Sequence, residues 1–300
     1  MRPKFVWQLR SRTLALGERT LIMGVVNVTP DSFSDGGQFF DTDRAVAHGL
    51  KLVAEGADIL DIGGESTRPG KKDPVGAEEE RRRVLPVIAG ILRQARQTII
   101  SVDTYRASTA EAAISAGAEI VNDVSGFTWD PQMLPLLAAV NCGCVLMHTR
   151  GRPEEWRDLP RLHSDEVVFM VARDLRRLSD QALKAGICRQ RLVVDPGFGF
   201  GKRYEENYPL LAGLGELHQL GFPLMAGTSR KSFIARTSSS SSQTESVERL
   251  SGTLAAVTAS ILQGAHVVRV HDVLPTAAAI RVADATLSAT STENVHTAER

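Results

Sequence analysis

Carboxylate and carboxamide side chains close several short apolar runs of this 300-residue sequence. Asp103, Asn122 and Asp195 each stand at the end of such a run. Together they offer hydrogen-bond acceptors and an amide donor to a heterocycle with neighbouring N–H groups and ring nitrogens, such as a 2-aminopyrimidinone. Either aspartate alone could instead cap a following helix, so the interpretation depends on their joint occurrence.

A second group of residues at the ends of apolar runs is of the types that bind anions. Arg269 and His271 are two residues apart and would face the same way on a strand, and Arg68 follows another run. Guanidinium and imidazole groups bind phosphate oxygens, and the carboxamide oxygen of Asn27 suits Mg²⁺ shared with a diphosphate. A lone histidine is more often a core or capping residue, but its spacing from Arg269 favours anion binding. We therefore expect a phosphorylated substrate and Mg²⁺ as cofactor.

Eight apolar runs separated by helical patterns are the elements that must position these residues. Their near-continuous apolar character predicts parallel strands that are covered on both faces. A doubly wound open sheet is the alternative, but eight repeats with no surplus strand favour an α/β protein with a (βα)8 barrel. The carboxyl ends of all eight strands would then meet at one rim. The predicted strands are 21–26, 58–62, 98–102, 119–124, 143–147, 192–194, 222–226 and 266–270.

Three regions follow from this pattern. Residues 1–18 are predicted to form an N-terminal β-hairpin extension that covers the bottom of the barrel, and residues 19–287 the barrel itself. Residues 288–300 are expected to be a flexible tail. Two turn-rich segments, 27–37 and 63–70, are expected to be rim loops, and 237–244 is a serine-rich loop.

Composition narrows the class of partner. Lys plus Arg equals Asp plus Glu at 35 each, so there is no electrostatic argument for nucleic-acid or membrane partners. Cys142, Cys144 and Cys188 show no disulfide or zinc spacing, and no signal-peptide pattern is present. We expect a cytoplasmic enzyme that acts on small molecules.

Five motifs together resemble the dihydropteroate synthase family of bacterial folate biosynthesis. They occupy residues 23–37, 61–70, 195–202, 229–231 and 269–271, and the resemblance extends from about residue 21 to 275. It implies a pterin-binding transferase that condenses 6-hydroxymethyl-7,8-dihydropterin diphosphate with p-aminobenzoate to give 7,8-dihydropteroate and pyrophosphate. It also implies a homodimer and a p-aminobenzoate site at which sulfonamides compete.

The resemblance assigns roles to individual residues. It implies catalytic roles for Asp103, Asp195, Lys231 and Asp31, the last in a closing loop. It places the pterin against Asp103, Asn122, Met147, Asp195, Phe200, Gly227 and Lys231. It places the diphosphate at Asn27, Thr67, Arg68, Arg269 and His271, with Asn27 as the Mg²⁺ ligand, and p-aminobenzoate at Phe33, Thr67, Pro69, Ser229 and Lys231.

Two other functions remain open at this point. A related barrel family transfers a methyl group from methyltetrahydrofolate to a corrinoid protein and resembles this chain in its Asp-Asn-Asp pterin grip. It has no need of a diphosphate site, so Arg68, Arg269 and His271 favour the synthase. A catalytically silent pterin-binding protein is the second alternative, because a fold does not guarantee an activity.

Overall fold

Eight parallel strands form the centre of the molecule in the computed structural model, which describes residues 2–28, 38–65, 75–235 and 245–296. The barrel strands are β3 (Leu21–Asn27), β4 (Ile59–Gly63), β5 (Ile99–Asp103), β6 (Ile120–Asp123), β7 (Gly143–Met147), β8 (Leu192–Asp195), β9 (Met225–Ala226) and β10 (Val267–Val270). Their order is β8-β7-β6-β5-β4-β3-β10-β9, and a bridge between Val194 and Leu224 joins the two ends. The prediction of a (βα)8 barrel is confirmed.

The seventh barrel strand is shorter than predicted. The apolar run 222–226 contributes only Met225–Ala226 to the ladder. Pro223 has no N–H to donate, although its carbonyl accepts from the Val194 N–H at 3.0 Å. Leu224 pairs with Val194 of β8 only through the isolated bridge, whereas on its β10 side it accepts from the His266 N–H at 2.8 Å. The closing seam is therefore made of single contacts and not of a full ladder.

Helices surround the barrel and cover its outer face with apolar side chains. They are α1 (Gln38–Ala54), α2 (Ala77–Gln94), α3 (Ala107–Ser115), α4 (Met133–Ala139), α5 (Val167–Lys184), α6 (Asn207–Ala212), α7 (Ser232–Ala235), α8 (Glu245–Leu262) and α9 (Val273–His296). Helix α9 runs past the predicted boundary at residue 287 and ends at His296, so the tail predicted to begin at residue 288 is helical as far as the structure describes it. Within the described ranges, no helix is long and apolar enough to cross a membrane.

The interior of the barrel has an apolar lower half and a polar upper half. Alternate residues of each strand point inward. Near the amino ends these are apolar side chains, including Ile59, Ile99 and Val193, which form one cluster. The hairpin of β1 (Phe5–Gln8) and β2 (Thr13–Leu16) closes this end, as predicted, because Trp7 packs into the same cluster and donates to the Arg191 carbonyl at 3.0 Å. Two residues further along the strands, the inward positions become polar.

Candidate active site

The carboxyl ends of neighbouring strands place the predicted pterin-binding residues in one cavity. Asn27, Gly63, Asp103 and Asn122 are aligned by the pairing of β3, β4, β5 and β6. Across the barrel, Asp195 ends β8. Arg269 of β10 reaches over the interior, and its Nη2 donates to Asp103 Oδ2 at 2.6 Å. The acids, the amide and the guanidinium therefore meet at the same mouth.

Asp61 belongs to this cluster, although we assigned it no role from the sequence. It is fully buried in β4, and its Oδ2 accepts from Asn122 Nδ2 at 2.9 Å and from Arg269 Nε at 2.6 Å. Asp61 lies two residues before Gly63 and therefore faces inward below the rim. A signal was present in the sequence, because a carboxylate inside an apolar strand run needs a buried partner.

Burial and crowding of negative charge alter the acid chemistry at this end of the barrel. Burial raises the pKa of Asp103 to about 7; Arg269 opposes this shift, and Asp61 adds to it. Burial alone would lower the pKa of Arg269, but Asp61 and Asp103 outweigh it and raise that pKa. The guanidinium thus stays charged while it bridges two carboxylates.

Asp195 is held by the glycine-rich turn that follows β8. It is 3% exposed, and its Oδ1 accepts from the Gly197 N–H at 2.7 Å. Burial raises the pKa of Asp195 to about 6, and the hydrogen bond from Gly197 and the charge of Lys231 oppose that shift. Gly197 has a φ of +67°, and a Cβ there would lie 2.0 Å from the His148 carbonyl oxygen. A residue with a side chain would therefore force a shift of the turn whose N–H holds this carboxylate.

A buried lysine holds the rest of the same turn. Lys202 donates from Nζ to the carbonyl oxygens of Gly197 at 2.8 Å and Phe200 at 3.2 Å. Burial lowers its pKa to about 7, although the charge of Asp195 opposes the shift. We missed Lys202 as a supporting residue, because its position at the end of a glycine-rich string indicated only a loop. Its contacts orient the loop that carries Phe200.

Apolar and aromatic side chains form one wall of the cavity. Met147 and Phe200 pack with Val124, and Trp156 meets the Phe200 ring edge-on with centroids 5.4 Å apart. The ammonium of Lys231 lies 4.0 Å from the centroid of the Phe200 ring. Such a wall suits the face of a flat heterocycle, and the Lys231 ammonium places a positive charge beside it.

Gly227 lies beside the Asp195 carboxylate and the side chain of Arg269. A Cβ at this position would lie 3.6 Å from Asp195 Oδ2 and 3.9 Å from the Cβ of Arg269. Gly227 therefore lies beside two of the predicted site residues, and its role in shaping the pterin slot stays a prediction.

Ser229 and His271 form a pair at the rim. His271 Nδ1 lies 3.1 Å from Ser229 Oγ, and the His271 backbone N–H donates to the same oxygen at 3.2 Å. This fixes the ring, and it leaves Nε2 as the nitrogen that does not take part in the pair. Arg269 lies two residues earlier, in β10, and His271 follows the end of that strand. Of the residues predicted to bind the diphosphate, the structure describes Arg269, His271 and the rim residue Asn27.

Five predicted site residues fall outside the described ranges. They are Asp31, Phe33, Thr67, Arg68 and Pro69. Of the residues predicted to contact p-aminobenzoate, the structure describes Ser229 and Lys231. Both lie between β9 and α7, next to the cavity that holds Asp195.

The chain is similar to known proteins along nearly its full length. Residues 23–271 match the family described as pterin binding enzyme. A dihydropteroate synthase of Clostridium beijerinckii is 42% identical over 278 residues, which cover 92% of this chain and 98% of that protein. A solved structure of the Xanthomonas albilineans dihydropteroate synthase with 4-aminobenzoic acid is 44% identical, covers 96% of this chain and 99% of that chain, and has a TM-score of 0.84.

Another structure of the Xanthomonas albilineans enzyme contains 7,8-dihydropteroate. It is 41% identical, covers 95% of this chain and 99% of that chain, and superposes with a TM-score of 0.80. These findings confirm the resemblance, because the family match covers residues 23–271 and the relatives are at least 41% identical over more than nine-tenths of this chain. The chain therefore belongs to the pterin binding enzymes and, among them, to the dihydropteroate synthase family.

Proposed function

We propose that this chain condenses 6-hydroxymethyl-7,8-dihydropterin diphosphate with p-aminobenzoate and releases 7,8-dihydropteroate and pyrophosphate. The observation that carries the proposal is the meeting of Asp103, Asn122 and Asp195 with Arg269 in one cavity. Arg269 Nη2 lies 2.6 Å from Asp103 Oδ2, so the groups for the ring and for the phosphates are in direct contact. Arg269 and His271 beside the ring site supply the cationic and hydrogen-bonding groups that a diphosphate needs.

The charges of the cavity match the charge that develops in the reaction. The bond between the pterin methylene and the diphosphate oxygen breaks, and the electron pair leaves with pyrophosphate. Asp103 and Asp195 favour cationic character on the pterin, while Arg269 and His271 stabilise the departing anion. The arylamine of p-aminobenzoate is neutral near pH 7, so its lone pair forms the new C–N bond without prior deprotonation, and the amine then loses a proton. Catalysis is mainly positioning and electrostatic stabilisation.

Mg²⁺ is a further part of the proposal. Asn27 ends β3 at the rim, in line with Gly63 and Asp103, and its side chain is half-buried. Mg²⁺ commonly takes few protein oxygens and fills its sphere with water and substrate phosphates, so one carboxamide oxygen suits it. When bound, the ion would neutralise charge on the diphosphate.

The decisive experiment measures pyrophosphate release with the pterin diphosphate, p-aminobenzoate and Mg²⁺ together. We expect release that depends on each of the three components, with one 7,8-dihydropteroate formed for each pyrophosphate. Release that proceeds at the same rate without p-aminobenzoate would indicate a hydrolase and contradict the proposal.

The two alternatives give different results in parallel assays. Methyl transfer from methyltetrahydrofolate to a corrinoid protein, with no pyrophosphate release, would support the methyltransferase. Calorimetric binding of the pterin with no product at saturating p-aminobenzoate would support a silent binding protein. Arg269 and His271, which face the same mouth as Asp103, favour the synthase over both.

We also propose that the chain forms a homodimer in the cytoplasm. Several large apolar side chains of the last two long helices are exposed, among them Val247 at 65% and Val282 at 68%. A second copy of the chain would cover them. Cys142, Cys144 and Cys188 are free thiols, which suits a reducing compartment. Sedimentation at micromolar concentration should give a dimer, and a monomer at that concentration would contradict the proposed homodimer.

A further inference from the structure

We infer that Asp61 is a positioning residue that fixes the Asn122 carboxamide with its oxygen toward the bound ring and holds the Arg269 guanidinium beside it. The inference rests on the proposed function and names how the same cavity selects its ring. Asp61 does not line the mouth, since it lies one layer below the rim in β4. Its effect on the substrate would pass through the two residues that it contacts.

The first step concerns the carboxylate itself. Asp61 is 0% exposed, and a buried carboxylate is stable only when it is paired and hydrogen-bonded. Its Oδ2 accepts two hydrogen bonds, from Asn122 at 2.9 Å and from Arg269 at 2.6 Å. The three residues come from strands β4, β6 and β10, so one oxygen atom joins three parts of the barrel wall. Their relative placement therefore depends on this atom.

The second step concerns the orientation of the Asn122 amide. Its Nδ2 is committed to Asp61, while its Oδ1 is buried and has no hydrogen-bond partner within the described residues. The flipped amide would place Oδ1 against a carboxylate oxygen and lose the hydrogen bond, so Asp61 excludes it. Asn122 then presents an acceptor, and a ligand must offer an N–H donor at that point. A ring with an acceptor there would leave two buried acceptors opposed.

The third step concerns Arg269. Its Nε binds Asp61 and its Nη2 binds Asp103, so the planar guanidinium is held at two points, and Nη1 takes part in neither bond. Removing the charge of Asp61 would leave one anchor, and the side chain could turn toward Asp103. The same change therefore loosens the amide that meets the ring and the guanidinium that meets the anion.

The experiment measures binding and turnover in the Asp61→Asn variant. Asp123→Asn is the matched control, because Asp123 is equally buried but accepts from the Ser125 N–H at 2.6 Å and is the neighbour of Asn122 on the same strand. We expect the affinity for 6-hydroxymethylpterin, measured by calorimetry, to fall by about tenfold or more in Asp61→Asn. In Asp123→Asn we expect a change of at most about twofold. The KM for p-aminobenzoate should not change in either variant.

A double-mutant cycle separates positioning from loss of structure. If Asp61 acts through the Asn122 amide, Asp61→Asn should weaken pterin binding much less in an Asn122→Ala background than in the wild type. Equal losses in both backgrounds, or unchanged binding in Asp61→Asn, would overturn the inference. If Asp61→Asn does not fold, Asp61→Ser is measured in the same way. A wild-type crystal structure with pterin in which the Asn122 amide has left Asp61 would also overturn it.

The proposed function is tested separately by the wild type. Wild-type protein that binds no pterin and releases no pyrophosphate would remove the proposed function, and the inference with it. Wild-type protein that binds and reacts, while Asp61→Asn does both equally well, would remove the inference alone.

Discussion

Replacing Asp195 with asparagine should make the protein more stable near neutral pH while it weakens pterin binding. Burial raises the pKa of Asp195 from 3.8 to about 6, so the folded protein holds this proton over a pH range in which the unfolded chain has lost it. For such a group, the free energy of unfolding falls as the pH rises from about 4 to about 6. The shift corresponds to about 3 kcal/mol, at 1.36 kcal/mol for each pKa unit.

Asparagine removes this dependence and can still accept from the Gly197 N–H, which lies 2.7 Å from Asp195 Oδ1. We therefore expect Asp195→Asn to gain stability relative to the wild type as the pH rises from about 4 to about 8, with most of the ~3 kcal/mol appearing in that range. Urea denaturation of both proteins at a series of pH values measures the difference. A difference that is the same at every pH would refute the assigned cause, and so would one that moves against Asp195→Asn.

Three further predictions test the rim and its supporting loop. Asp103→Asn should fold and lower turnover by at least about tenfold, or ~1.4 kcal/mol, because it removes charge beside the reacting carbon; unchanged turnover would remove Asp103 from the mechanism. Lys202→Met should lose about 1–3 kcal/mol through two unpaired loop carbonyls. Burial lowers the pKa of Lys202 from 10.5 to about 7, so the wild type gains stability as the pH rises from about 7 to 10.5. Lys202→Met lacks this gain, and its loss of stability relative to the wild type should therefore grow over the same range. Denaturation curves that show the same loss at every pH would contradict the pKa shift. Gly197→Ala should lower the free energy of unfolding by at least ~2 kcal/mol, because its Cβ would lie 2.0 Å from the His148 carbonyl oxygen. The control Gly186→Ala has a φ of +101° and no atom within 4 Å of its Cβ, so it should cost only the backbone strain of about 1 kcal/mol. Equal losses in thermal denaturation would show that the contact with His148 does not matter.

The barrel and its polar rim could be predicted because both follow from strand-level rules. A buried parallel strand is apolar throughout, so residues such as Asp103 and Asp195 mark the places where strands end. The barrel geometry then brings these ends together without any knowledge of side-chain contacts. The grouping of Asp103, Asn122 and Arg269 followed from this rule alone.

The contacts below the rim could not be predicted in the same way. Asp61 interrupts an apolar run, but the partner of a buried carboxylate depends on distances across the barrel, and Arg269 is 208 positions away in the chain. The length of β9 depended on Pro223, whose missing N–H weighs more than the apolar character of its neighbours. Helix α9 extends to His296 although residues 288–296 contain only one Ala and one Glu among weaker helix formers, so neither helix propensity nor an amphipathic pattern predicts its last turns.

The bridge that Arg269 makes between Asp61 and Asp103 affects how free anions can bind to its guanidinium. A free orthophosphate ion that approaches the guanidinium must contend with Asp61 and Asp103, which already occupy it at 2.6 Å each. Such an ion brings no ring to offset the repulsion from these carboxylates. We therefore expect small inorganic anions alone to bind weakly at this guanidinium, whereas a substrate whose ring is bound by Asp103 would offset the repulsion.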